Sequence, residues 1–194
     1  MASERLRLFV ACELPDDVRL ALGAVQDGLR RATHVRLRWV RPEGIHITLK
    51  FLGGVEAARV GEIERALAAA IEPFEARVRP ARLAGFGGSG LRVVWVGLEG
   101  DIDRLAGLAE RVDAALVPVG FPRERRPFAP HLTLARVPDE ASPQDRRGLA
   151  RLLEGHSLPE LPSMILTGMY LIRSILGPDG SAYQRLVSFP KVEA

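Results

Sequence analysis

The stretch Arg41-Pro42-Glu43-Gly44-Ile45-His46-Ile47-Thr48-Leu49 returns in altered form at Arg126-Pro127-Phe128-Ala129-Pro130-His131-Leu132-Thr133-Leu134. Arg, Pro, His, Thr and Leu keep their places in both copies, which lie 85 positions apart (46 to 131). A chain of 194 residues with four histidines has thus put two of them in one local setting. Such a chain is expected to build two like halves, each presenting one imidazole.

Hydrophobic periodicity supplies the elements around the repeat. Arg5 to Glu13 alternates, with Leu6, Leu8, Val10 and Cys12 on one face and Arg7, Phe9, Ala11 and Glu13 on the other, as a half-buried strand does. Val18, Leu22, Val25 and Leu29 form the apolar stripe of a helix after Pro15. Strands are predicted over 35–40 and 45–52, and a helix carries Val60, Ile63, Leu67 and Ile71. Residues 74–84 read as extended, 85–90 as a glycine-rich loop and 91–98 as a buried strand. Asp101 suits the cap of a helix holding Ile102, Leu105, Leu108, Val112 and Leu116. After the second motif strand, 130–137, Ser142-Pro143-Gln144-Asp145 opens another helix. Residues 163–176 and 182–189 read as two closing strands joined by a turn at Gly177-Pro178-Asp179-Gly180. The reading is an α+β protein of two similar lobes. No apolar run is long enough to span a bilayer. The lone cysteine, Cys12, falls on an apolar face, and a chain with one cysteine fits a reducing, cytoplasmic setting.

Strict alternation places His46, Thr48 and Lys50 on one face of the first motif strand, and Ile45, Ile47, Leu49 and Phe51 on the other. On the second strand His131 and Thr133 share a face, and Leu132 and Leu134 face the core. Two histidines lack the third ligand that a zinc site needs, and no His-x-x-x-His or Cys-x-x-Cys pattern is present. There is no Gly-x-Ser-x-Gly elbow, and Gly87-Gly88-Ser89-Gly90 lacks the lysine and helix of a phosphate-binding loop. General acid–base work remains, because one imidazole can donate a proton near neutral pH while its twin accepts one. The two threonines, each on the same side as its histidine, are placed to hold phosphate oxygens with help from a nearby cation.

The motifs His46-Ile47-Thr48-Leu49 and His131-Leu132-Thr133-Leu134 resemble those of the two-histidine phosphoesterase superfamily. Arg7 to Ala11, His46 to Gly53, Arg92 to Leu98, Arg126-Pro127-Phe128 and Leu171 to Phe189 are similar to its RNA 2′,3′-cyclic phosphodiesterase branch, historically called 2′-5′ RNA ligases or LigT-like. The resemblance implies residues 1–194 as one bilobal domain: two pseudo-symmetric lobes, each an antiparallel sheet with helices on its outer face, enclosing a central cleft. It implies hydrolysis of an RNA 2′,3′-cyclic phosphate terminus to a 2′-phosphomonoester, with neither metal nor cofactor. His46 would be the proton donor and His131 the acceptor, roles that periodicity alone leaves open. Thr48 and Thr133 would bind substrate. Arg136 matches a basic residue that follows the second motif in this branch, although alternation points it away from His131. Lys50 and Phe9 are further substrate-binding candidates, Phe9 as a platform for a base or, alternatively, as core. The expected partner is an RNA or oligonucleotide with a cyclic phosphate end; neither a membrane nor a protein partner is implied, and a monomer is expected. Ligation to a 2′-5′ linkage, the reverse reaction, and a non-catalytic module that binds RNA ends are the alternatives.

Overall fold

A computed structural model describes residues 4–87, 90–177 and 180–191. Among these residues nine strands and four α-helices follow one another as β1 (Arg5–Glu13), α1 (Asp16–Ala32), β2 (Arg38–Trp39), β3 (His46–Glu56), α2 (Val60–Ala70), β4 (Ala76–Phe86), β5 (Val93–Gly100), α3 (Ile102–Leu116), β6 (His131–Arg136), α4 (Pro143–Gly155), β7 (Met164–Leu166), β8 (Met169–Gly177) and β9 (Gly180–Phe189). Every assigned strand pair is antiparallel. The order across the sheet is β7-β4-β5-β6-β3-β1-β8-β9, with β2 attached to β6. One half of β7, β4, β5 and β6 with β2, and another of β3, β1, β8 and β9, therefore meet at the motif strands β6 and β3. That junction is a single bridge, Ile47 opposite Leu132.

One face of this curled sheet is covered by helices and holds the core. Leu6, Leu8, Val10 and Cys12 of β1, Ile47 of β3 and Leu132 and Leu134 of β6 are buried there with Val18 and Leu22 of α1 and Leu105, Leu108 and Val112 of α3. Burial pushes the Cys12 thiol up to about 12, so it is a packed core group and not a nucleophile. Gln26 of α1, fully buried, donates from its amide to the carbonyls of Val40 (2.7 Å) and Leu134 (2.9 Å), tying the segment before β3 to β6.

Several expected elements are changed by tertiary pairing. The strand predicted over 35–40 shrinks to Arg38–Trp39, the part that finds a partner on β6. Gly85 and Phe86 lie within β4, paired with Val94 and Val93, and not in the predicted loop; Gly88 and Ser89 lie outside the described residues, as do Pro178 and Asp179 of the predicted turn. The closing strand predicted over 163–176 is two strands. Met164–Leu166 pairs with β4 in one half and Met169–Gly177 with β1 in the other, so the chain changes halves at Thr167-Gly168. Asp101 does not cap α3 through its side chain; its carboxylate accepts from the Arg77 backbone N–H of β4 at 2.9 Å. Ser142 does cap α4, in a reciprocal box with Asp145.

Candidate active site

The concave face is built by the backbone of the two motif strands. Residues opposite one another in an antiparallel pair point to the same side. Extending the Ile47–Leu132 bridge by one residue each way sets His46 against Thr133 and Thr48 against His131. All four then face away from the buried Ile47 and Leu132, which puts the two histidines on neighbouring strands of one face. The charges of His131 and Arg136 both act on His46.

Both imidazoles are anchored in the same way. His46 Nδ1 donates to the Gly44 carbonyl at 2.7 Å, and His131 Nδ1 donates to the Ala129 carbonyl at 2.8 Å. A carbonyl only accepts, so Nδ1 carries the hydrogen and Nε2 is left for proton exchange. The repeat explains the match, because Gly44 and Ala129 are equivalent positions two residues before each histidine. In the first copy Pro42 opens a single 3₁₀ turn, Pro42–Gly44, which delivers the carbonyl. In the second copy Pro130 restricts Ala129 to extended backbone and aims its carbonyl the same way.

A β-bulge directly after each threonine changes which later residues share the site. Opposite β1, Thr48 pairs with Ala11 and Lys50 with Val10, so Leu49 is passed over. Opposite β5, Thr133 pairs with Trp95 and Ala135 with Val94, so Leu134 is passed over. Each skipped residue reverses the alternation beyond it. Lys50 is consequently turned into the helix-covered side, only 8% exposed, with its ammonium on the Asp113 carboxylate of α3 and on the Pro122 carbonyl at 2.8 Å. It does not share the face of His46, and its expected role in binding substrate is corrected. Phe51, expected in the core, is instead 71% exposed on the concave face beside Phe9 (ring centroids 6.1 Å). Arg136 pairs with Val93 and returns to the face of His131 and Thr133, against strict alternation. Phe51 and Arg136 sit at equivalent offsets, five residues after their histidines.

Phe9 is on the concave face but only 3% exposed, because its ring is stacked on His46 (4.7 Å, 26°). It supports the imidazole and presents no open ring to a base, which corrects its expected use as a platform. Tyr183 of β9 meets His46 edge-on at 5.2 Å. On the other wall Phe86 and Trp95 meet His131 edge-on at 4.9 and 5.9 Å, and stack on each other at 4.7 Å. Tyr183 and Phe86 were not legible as site residues, since they come from distant strands without a local motif.

The two walls differ electrostatically. Burial lowers the pKa of His46, and the nearby charges of His131 and Arg136 lower it further; the bond to Gly44 and the Glu13 carboxylate act in the opposite direction. Among the described residues no group of three or more His, Cys, Asp or Glu side chains is arranged to hold a metal ion. No helix among them is long and apolar enough to cross a membrane.

The profile of the 2′-5′ RNA ligase superfamily matches residues 14–174. The RNA 2′,3′-cyclic phosphodiesterases of Methanothermobacter thermautotrophicus and Archaeoglobus fulgidus are each 33% identical over 188 residues, covering 95% of this chain and 98% and 99% of theirs. Among solved structures, Escherichia coli LigT complexed with 3′-AMP superposes with a TM-score of 0.74 at 25% identity, covering 96% of this chain and 98% of that one. A Thermus thermophilus protein superposes with a TM-score of 0.72 at 29% identity, covering 94% and 96%. With one curled antiparallel sheet, two equivalent motif strands and relatives matched over nearly their full length, the chain belongs to the 2′-5′ RNA ligase superfamily.

Proposed function

We propose that the protein hydrolyses RNA 2′,3′-cyclic phosphate termini to 2′-phosphomonoesters by metal-independent acid–base catalysis. The observation that carries this reading is the pair of imidazoles on adjacent strands, each held through Nδ1 to a backbone carbonyl, which leaves Nε2 as the nitrogen for proton exchange. A water molecule attacks phosphorus and gives its proton to His131 as the new P–O bond forms. The P–O3′ bond breaks, and His46 protonates the departing 3′ oxygen. The products are a 2′-phosphate and a 3′-hydroxyl, and the two histidines have exchanged protonation states. Thr48 and Thr133 donate to the non-bridging oxygens, and the Arg136 guanidinium stabilises the charge that builds there. Phe51, exposed beside the site, offers its ring to the terminal base.

With a 5′-hydroxyl in place of water as the nucleophile, the same steps form a P–O5′ bond, break P–O3′ and leave a 2′-5′ linkage, but dilute ends in water favour hydrolysis by mass action. The sheet runs without interruption through both halves, which supports one bilobal unit in which each half is needed for turnover. The test is end-group analysis of products from a 2′,3′-cyclic mononucleotide and from a short RNA with the same end, with and without chelator. The expected result is a 2′-phosphate product in both, insensitive to chelator, and a loss of at least about 10²-fold in each of His46→Ala and His131→Ala. Chelator-sensitive activity would overturn the metal-independent mechanism. Binding of RNA ends without turnover under any condition would favour a non-catalytic module.

A further inference from the structure

The two histidines share a backbone setting but not a neighbour. On its outer side His131 is paired with Gly97 of β5, whereas His46 is paired with Glu13 of β1. Direct cross-strand partners hold their Cβ atoms about 4.5–5.5 Å apart on one face. Glu13 is itself enclosed, with its side chain 17% exposed. It is gripped by Arg19 of α1 at 3.1 Å and by Arg185 of β9, whose Nε donates at 2.7 Å and whose Nη2 bonds the second oxygen. Glu13 and His46 line one small recess together with Glu43, Gly44, Ile45, Ile172 and Tyr183. We propose that Glu13 is a positioning residue that makes the paired histidines inequivalent: its carboxylate favours the protonated form of His46 against the burial that opposes it, and glycine stands at the matching place beside His131.

This rests on the acid–base reading above and deepens it. The titratable and charged groups around His46 are Glu13 on β1, Glu43 in the turn before β3, Tyr183 on β9, and His131 and Arg136 on β6. Burial, the largest effect, with positive charge on His131 and Arg136, holds His46 below its ordinary value; the Gly44 carbonyl and Glu13 act in the opposite direction and offset this in part. Burial by itself would favour protonated Glu13, but Arg185 and Arg19 outweigh it and hold the carboxyl below its ordinary value. The arginines thus keep Glu13 charged while tempering its field at His46. Glycine, with no carboxylate, stands beside His131 at the place that Glu13 takes beside His46.

Titration of the labelled imidazoles by NMR, in the full chain, tests this without relying on turnover. In Glu13→Gln the His46 midpoint should fall by about one pH unit, the scale of one charge at this separation after partial neutralisation, while His131 moves much less. Turnover at neutral pH should drop about tenfold in kcat with KM little changed, and Glu13→Asp should restore most of both. Arg185→Gln leaves Glu13 ionised by Arg19 but removes the nearer counter-charge, so the His46 midpoint should rise. Opposite shifts in these two variants cannot come from loosened packing. Shifts of the same sign, or none at His46, would overturn the proposal. If the wild-type protein shows no hydrolysis, the functional reading fails, and the titrations still decide what Glu13 does to His46.

Discussion

Lys50 and Arg136 provide a paired test of the bulges, because alternation and the observed register assign them opposite fates. In Lys50→Met the Asp113 carboxylate loses the ammonium it is bonded to, with side chains 7% and 15% exposed on the two partners. Removing one member of a pair this enclosed costs about 3 kcal/mol, the lower end of the usual range, since Asp113 keeps its bond from the Glu124 N–H. For a chain of this size that lowers Tm by about 6–12 °C. Turnover of a cyclic mononucleotide below the transition should be retained, because the ammonium lies on the far side of the sheet. In Arg136→Ala the change is at an exposed position on the concave face, so Tm should move by no more than about 2 °C. The loss of a cation aimed at the phosphate oxygens should cost about 10²-fold in kcat/KM. Differential scanning fluorimetry and steady-state kinetics on both variants give the four values needed. A Lys50→Met protein with intact stability and poor turnover, beside an active Arg136→Ala protein, would refute the reversed alternation at both bulges.

Other outcomes follow from the same structure. Phe51→Ala should raise KM for a cyclic mononucleotide about tenfold through lost base stacking while leaving Tm unchanged, because the ring is 71% exposed; an unchanged KM would remove Phe51 from substrate binding. Glu13 and Asp113 both ionise below the ordinary carboxylate value, despite burial acting in the other direction, because Arg185 and Arg19 hold the first and Lys50 and the Glu124 N–H the second. Their contribution to stability is therefore full above about pH 5 and lost as pH falls through their depressed values. Urea midpoints at pH 7 and pH 3 should converge partly in Arg185→Gln, and an undiminished gap would show that the Glu13 pair contributes nothing to it. Gly44→Ala would place a methyl group 2.8 Å from the Tyr183 ring, so Tyr183 must move off the His46 edge; unchanged ring-current shifts of His46 in NMR spectra would contradict that contact.

The fold class and the central pair were legible because their signals are local. His46, Thr48, His131 and Thr133 lie before the first irregularity in each strand, where period two still holds. Lys50, Phe51 and Arg136 lie after it, and a bulge leaves no mark in a run such as Thr48-Leu49-Lys50-Phe51 that alternation would notice. Phe9 was placed on the correct face, but its burial depends on His46 and Tyr183, which arrive from two other strands. The break between Met164–Leu166 and Met169–Gly177 is set by which half offers an open sheet edge, a property of the assembled sheet. Asp101 behaved likewise: an N–H from β4 outcompeted its own helix for the carboxylate.

The duplicated bulge has a consequence for how a ligand must lie. A strictly twofold cleft would accept a nucleotide equally well in two opposite directions. Here the backbone repeats, but its matching seats hold a neutral ring, Phe51, on one wall and a cation, Arg136, on the other. Under the proposed function, that mismatch gives the groove a head and a tail, so a terminal nucleotide is expected to have one productive heading, with its base toward the ring and its phosphate toward the charge.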